Sequence, residues 1–145
     1  MQINTITAAN SVFLLAVVGL FDTPQQLQGF AADAAFSGDA RTPAETVMGV
    51  DGKMSVGFTF SLYKQKISLM PDSDSYVLFE EWLSAMEAVQ EIYIAKATIV
   101  LPSIGRKYEL TRGALTSAKP VPDVKKVLQA SEFEITWERI TGRNI

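Results

Sequence analysis

One stretch of this chain carries helical spacing over several turns, and most of what surrounds it is extended. Between Asp74 and Gln90, the residues Val77, Leu78, Phe79, Trp82, Leu83, Met86 and Val89 fall on one broad face. Glu80, Glu81, Ser84 and Glu87 fall on the other. This is the pattern of an amphipathic helix that packs onto something apolar. Asp72, Ser73 and Ser75 stand just before it and offer side-chain oxygens to the free N–H groups of its first turn. Phe79, Trp82, Leu83 and Met86 are the candidate core-packing residues of this helix.

The remaining signals have period two. Met54, Val56, Phe58 and Phe60 alternate with Ser55, Gly57, Thr59 and Ser61, placing one face in a core and leaving the other polar. Just before them, Asp51-Gly52 supplies the positive φ angles of a type I′ turn, so 45–60 reads as a hairpin. Further strands are expected at Val12–Gly19, Gln25–Phe30, Ala32–Phe36, Tyr63–Met70, Ile92–Leu101, Arg106–Leu115 and Glu132–Ile140. Ser37–Thr46, with Gly38, Asp39 and Pro43, has the residues of a mobile loop. Val124–Leu128 is long enough for one or two helical turns. Many short strands and one helix predict a mainly β (α+β) domain over 1–145: an antiparallel sandwich or barrel with one flanking helix. Residues 1–27 form its N-terminal arm or first strand.

Composition narrows the chemistry. The 145 residues include no cysteine and no histidine, which removes disulfides, thiolate nucleophiles, Ser-His pairs and HExxH zinc sites. The net charge of −3 lacks the basic surplus that displaces counterions from phosphates. The apolar run Val12–Phe21 is too short for a membrane span, which needs about 20 residues. No Lys or Arg precedes it, so it reads as a buried or interface strand rather than a targeting segment, and no membrane insertion is expected.

No constellation supports an enzyme. Glu80 and Glu81 are adjacent on a helix and point apart, so they cannot share a proton. Asp72, Asp74 and Glu81 lack the glycine and twelfth-position Glu of a calcium loop, which favours capping over cation binding. No Gly-rich phosphate loop is present, Lys64 and Lys66 read as solvated strand residues, and Trp82 and Trp137 each sit in an apolar set. No cofactor is expected. Sheet edges that are left open pair readily, and a closed ring removes them.

Four segments, taken in order, resemble the tail tube proteins of contractile-tailed bacteriophages, whose fold is Hcp-like. They are Gln28-Gly29-Phe30-Ala31-Ala32-Asp33, the hairpin Val47-Met48-Gly49-Val50-Asp51-Gly52, the helix opening Pro71-Asp72-Ser73-Asp74-Ser75-Tyr76-Val77-Leu78, and the closing strand Phe133-Glu134-Ile135-Thr136-Trp137-Glu138-Arg139-Ile140. The resemblance spans 28–140 and implies a structural virion protein, assembled in the host cytoplasm. Six copies would form a ring, and stacked rings a hollow tube inside a contractile sheath. That tube would surround the tape measure protein, meet baseplate and tail terminator proteins, and conduct DNA without sequence-specific binding. A lumen that lets a polyanion slide should avoid basic patches, so Ser55, Thr59, Glu132, Glu134 and Glu138 are candidate lumen residues. Gly38, Asp39, Arg41, Thr42, Asp51 and Gly52 are candidate ring-to-ring contacts. Within the same class stand a tube initiator or tail completion protein and the tube of a phage-derived injection system. A small β-barrel binding an apolar ligand is the alternative from another class.

Overall fold

The computed structural model describes residues 11–30 and 36–145. The first ten residues of the expected arm, and Ala31–Ala35 with most of the expected 32–36 strand, lie outside the described residues. Among the described residues nine strands and one α-helix follow in the order β1 (Val12–Val17), β2 (Phe21–Gln26), β3 (Phe36–Gly38), β4 (Ala44–Met48), β5 (Met54–Phe58), β6 (Tyr63–Leu69), α1 (Asp74–Val89), β7 (Ala95–Leu101), β8 (Arg106–Ala118) and β9 (Ser131–Asn144), with a single 3-10 turn at Pro102–Ile104 between β7 and β8. Seven strands form one antiparallel sheet in the order β2-β1-β7-β8-β9-β6-β3, and β4 with β5 form a separate two-stranded sheet.

The large sheet curls on two long strands. β8 and β9 pair from Arg106↔Asn144 to Ala118↔Phe133. The first half of β8 also takes β7, and the first half of β9 also takes β6. Between these halves Arg112 adopts φ 53, and the β7–β8 register shifts between Ala95 and Ala97. A residue inserted into one strand in this way bends it and sharpens its twist. The ends of the sheet are thereby brought together. Phe30, beyond β2, bridges Leu69 of β6, and Phe36 of β3 meets Phe13 of β1 edge to face with centroids 5.2 Å apart.

The inner faces supply the core. Phe13, Leu15 and Val17 of β1, Ile67 and Leu69 of β6, Leu110 of β8, and Phe133, Ile135 and Trp137 of β9 are all buried, together with Phe79 and Trp82 of α1. Phe79 stacks on Phe133 at 4.7 Å. Each such side chain contributes about 1.5–3 kcal/mol through removal from water. Two polar atoms inside this core are matched: Trp137 Nε1 donates to Gln65 Oε1 at 3.0 Å, and Trp82 Nε1 donates to the Tyr93 carbonyl at 3.2 Å.

Several local expectations are corrected. The second strand runs 21–26 rather than 25–30, because the chain reverses at Val18–Leu20, where Gly19 N–H donates to Asp22 Oδ1. Ser37–Thr46 is not one loop. Its ends join β3 and β4, whose partners β6 and β5 lie later in the chain. β7 starts at Ala95 rather than Ile92, leaving Ile92 exposed. Val124–Leu128 is a tight turn closed by a Val124↔Leu128 bridge, not a helix. Five residues fix too few hydrogen bonds to offset helix nucleation.

Candidate functional site

The hairpin begins as the sequence suggests and ends differently. Gly49 N–H donates to the Lys53 carbonyl, and Gly52 N–H donates to the Gly49 carbonyl. Gly52 has φ 84, whereas Asp51 is not among the positive-φ residues. The connection is therefore a three-residue loop with a left-handed glycine, not the two-residue type I′ turn. Asp51 instead accepts the Lys53 N–H through Oδ1 at 3.1 Å.

Register sorts the hairpin into two faces. Ala44↔Phe58, Thr46↔Val56 and Met48↔Met54 lie on one face, and Glu45↔Gly57 and Val47↔Ser55 on the other. The apolar alternation is real, but the face it makes is uncovered: Met48, Met54, Val56 and Phe58 are 59–73% exposed and Phe60 is 93% exposed. The expectation that Met54, Val56, Phe58 and Phe60 enter a core is thus overturned. Period two says that a strand has an apolar side and is silent about which chain covers it. An isolated two-stranded hairpin is marginal in water, so this face calls for a partner.

The hairpin root is braced from within the chain. Thr59 Oγ1 donates to the Thr42 carbonyl, Thr59 N–H to the Pro43 carbonyl, and Arg41 Nη2 to the Ser61 carbonyl. Beside this root Arg41, Phe58, Phe60, Leu62, Glu138 and Arg139 line an open recess of about 460 Å³. Gly38 pairs with Gln65 in β3, and a Cβ there would fall 1.8 Å from the Tyr63 hydroxyl. Asp39 N–H continues that pairing to the Lys64 carbonyl. Burial, and then the Asp39 charge, push the Tyr63 phenol above its ordinary pKa. The six residues read as ring contacts therefore divide: Asp51 and Gly52 form the exposed tip, and the others join the hairpin to the body.

Glu132, Glu134 and Glu138 share the outer face of β9, opposite the core side chains. The face is charge-balanced. Lys66 lies 3.8 Å from Glu132, and Arg112 pairs with Glu138. Thr116 Oγ1 lies 3.0 Å from Thr136 Oγ1 and donates to Glu134 Oε1 at 3.3 Å. Ser55 stands in β5 and Thr59 just beyond its end, so the candidate lumen residues are divided between the large sheet and the hairpin.

On α1, Ser73 is the N-cap, accepting the Tyr76 N–H through Oγ at 3.2 Å, while Ser75 Oγ accepts the Gln28 N–H at 2.7 Å. Phe79, Trp82 and Met86 are buried and Leu83 is half-buried. A second uncovered apolar patch was not evident from the sequence: Val121, Val124, Val127 and Leu128 are exposed, and Val127 and Leu128 border a recess of about 260 Å³ with Met70 and Pro71. Alternation could not reveal it, because these residues lie in a turn. Among the described residues no group of three or more acidic side chains could hold a metal ion, and no helix is long and apolar enough to cross a membrane.

Residues 4–141 match the family described as tail fiber protein gp32. The chain belongs to that family. No curated protein matches it. Its fold is that of contractile injection machines. It is similar to the tube-terminating cap of the anti-feeding prophage at 13% identity, with a TM-score of 0.68, covering 100% of this chain and 95% of that one. The sheath/tube terminator of the extracellular contractile injection system PVC gives a TM-score of 0.64 at 13% identity, covering 99% of each chain. A chain of the PVC sheath-tube complex gives 0.62 at 13% identity, covering 97% of this chain and 93% of that one. The gp32 family and the tube fold together identify a component of a phage-tail type of assembly with a mainly β, antiparallel architecture.

Proposed function

We propose that this gp32-family chain is a non-enzymatic structural subunit of a contractile tail. Six copies form a ring, and rings stack along the tail axis as the inner tube that conducts DNA. The observation that carries the reading is the β4–β5 hairpin, whose apolar face is finished in register yet uncovered. A subunit that is complete only in an assembly has this form. The relatives in fold are caps, terminators and tubes of machines built from sheath and tube, which supports a sheath protein, a baseplate and a terminator as partners. The tape measure protein and passing DNA would fill the lumen.

The outer face of β9 is the proposed lumen wall, carrying Glu132, Glu134 and Glu138. On this face Lys66 and Arg112 stand beside Glu132 and Glu138, and the exposed Lys64, opposite Thr136, offsets Glu134, so the wall carries no basic surplus to hold DNA. Asp51 and Gly52, at the hairpin tip, are the proposed contacts to the next ring. Negative-stain microscopy with sedimentation of the purified protein tests the reading. Sixfold rings or tubes are expected, and a persistent monomer overturns it.

The family's description favours a second reading, a subunit of a tail fibre. Gold labelling of intact particles separates the two: label along the tail axis supports the tube, and label on peripheral fibres supports the other.

A further inference from the structure

We propose that Met48 and Met54 form an oxidation site on the hairpin, and that the sulfoxides formed there switch its apolar face off. Register sets the two side chains side by side: Met48↔Met54 is the last pair of β4 and β5 before the turn, on the face that carries Val56 and Phe58. They are 67% and 60% exposed. Because the chain has no cysteine, its thioethers are the sulfur groups that an oxidant can reach. Of the other methionines, Met1 lies outside the described residues, Met70 is half-buried and Met86 is 9% exposed. Oxidation follows exposure, so a peroxide meeting the free subunit reacts at the hairpin pair first.

The thioether sulfur attacks the peroxide and takes one oxygen atom. Sulfur gives up two electrons, the O–O bond breaks, and the rest of the peroxide leaves as water. A methionine sulfoxide reductase supplied with a dithiol returns the two electrons and releases that oxygen as water. The pair therefore has two states. As thioethers the side chains are apolar and flexible, and they suit a face that another surface closes over. As sulfoxides each bears a strong acceptor, and burying both without donors is unfavourable. The face is uncovered within its own subunit, so the penalty falls on assembly and not on folding. This switch rests on the assembly reading above, whereas the oxidation site stands on register and exposure alone.

The full chain is treated with dilute hydrogen peroxide and mapped by peptide mass, and its assembly is followed by sedimentation. Met48 and Met54 should each gain one oxygen about tenfold faster than Met86, with the thermal melt unchanged. The oxidised protein should assemble about tenfold more weakly, and methionine sulfoxide reductases A and B, one for each sulfoxide epimer, should restore it. Met48→Leu with Met54→Leu keeps the apolar volume without the sulfur, so this double variant should assemble like the wild type before and after peroxide. Oxidation of Met70 or Met86 at the same rate as the pair overturns the site. Full assembly of protein oxidised at both positions overturns the switch, as does loss of assembly in the peroxide-treated double variant. A wild type that stays monomeric before any treatment defeats the assembly reading and the switch with it, while the oxidation map still decides the site.

Discussion

Gly113 shows how little room the core leaves at one position. A Cβ there would lie 2.4 Å from Trp137 Cε3, so the indole of β9 rests directly on the backbone of β8. Gly113→Ala must push a fully buried Trp137 out of place. It should cost roughly 1–3 kcal/mol, the usual range for overpacking. Gly57→Ala is the control, because a Cβ there meets nothing within 4 Å, and its melting temperature should stay near wild type. The other end of the same indole gives a second prediction. Gln65→Leu leaves Trp137 Nε1–H buried without its acceptor and should cost about 1–3 kcal/mol in denaturant unfolding. Tyr63 gives a pH effect. Its folded pKa is raised above 10.0, first by burial and then by Asp39, so the unfolded chain releases that proton first. Stability from this group is complete below pH 10 and falls as pH climbs above it. Tyr63→Phe should flatten the alkaline side of a stability–pH curve, and an unchanged curve would assign the loss elsewhere.

At the scale of elements, the boundaries of α1 and the burial of Phe79, Trp82 and Met86 were legible because they are local properties. Val77 and Val89, read onto the same face, are exposed and Tyr76 is buried instead, since the width of the buried face depends on what the sheet covers. Ser73 caps the helix, and the same hydroxyl donates to the Met70 carbonyl at 2.8 Å, so Ser73→Ala should lower stability by about 1–2 kcal/mol. Gly29 belongs to the same junction. It has φ 74, and a Cβ there would fall 2.1 Å from Ser73 Cβ, which gives the Gln28-Gly29-Phe30 segment its physical meaning: the chain passes against the helix start. The strands were legible by type and less so by extent. β4 and β5 were legible as the two arms of the Asp51-Gly52 hairpin, whereas β3 went unseen because its partner β6 comes only after that hairpin in the chain, and pairing across that distance leaves no local trace. The turn at Asp51-Gly52 was placed correctly and typed wrongly, since dipeptide identity does not decide whether one residue or two adopt positive φ.

For the whole molecule, core and assembly surface should respond to mutation in opposite ways. Leu110→Ala, at a fully buried site, should cost about 2–5 kcal/mol of monomer stability. Phe58→Ser, at a site 73% exposed, should leave the monomer within about 0.5 kcal/mol of wild type and abolish assembly in sedimentation. If Phe58→Ser instead melts early and still assembles, the hairpin supports its own subunit. The sequence by itself determined the class: one amphipathic helix among period-two strands, and no residues for thiol or imidazole chemistry. These are properties of neighbours along the chain, and periodicity records them. Tertiary structure alone decided that Glu132, Glu134 and Glu138 share a face with Lys66 and Arg112, and that Val124, Val127 and Leu128 stand uncovered near Met70. It also decided which apolar faces are spent inside the subunit. The alternating apolar sets of β5 and β9 look alike in sequence. The latter lies under α1 and the former under nothing, because burial depends on what the rest of the chain brings to each strand.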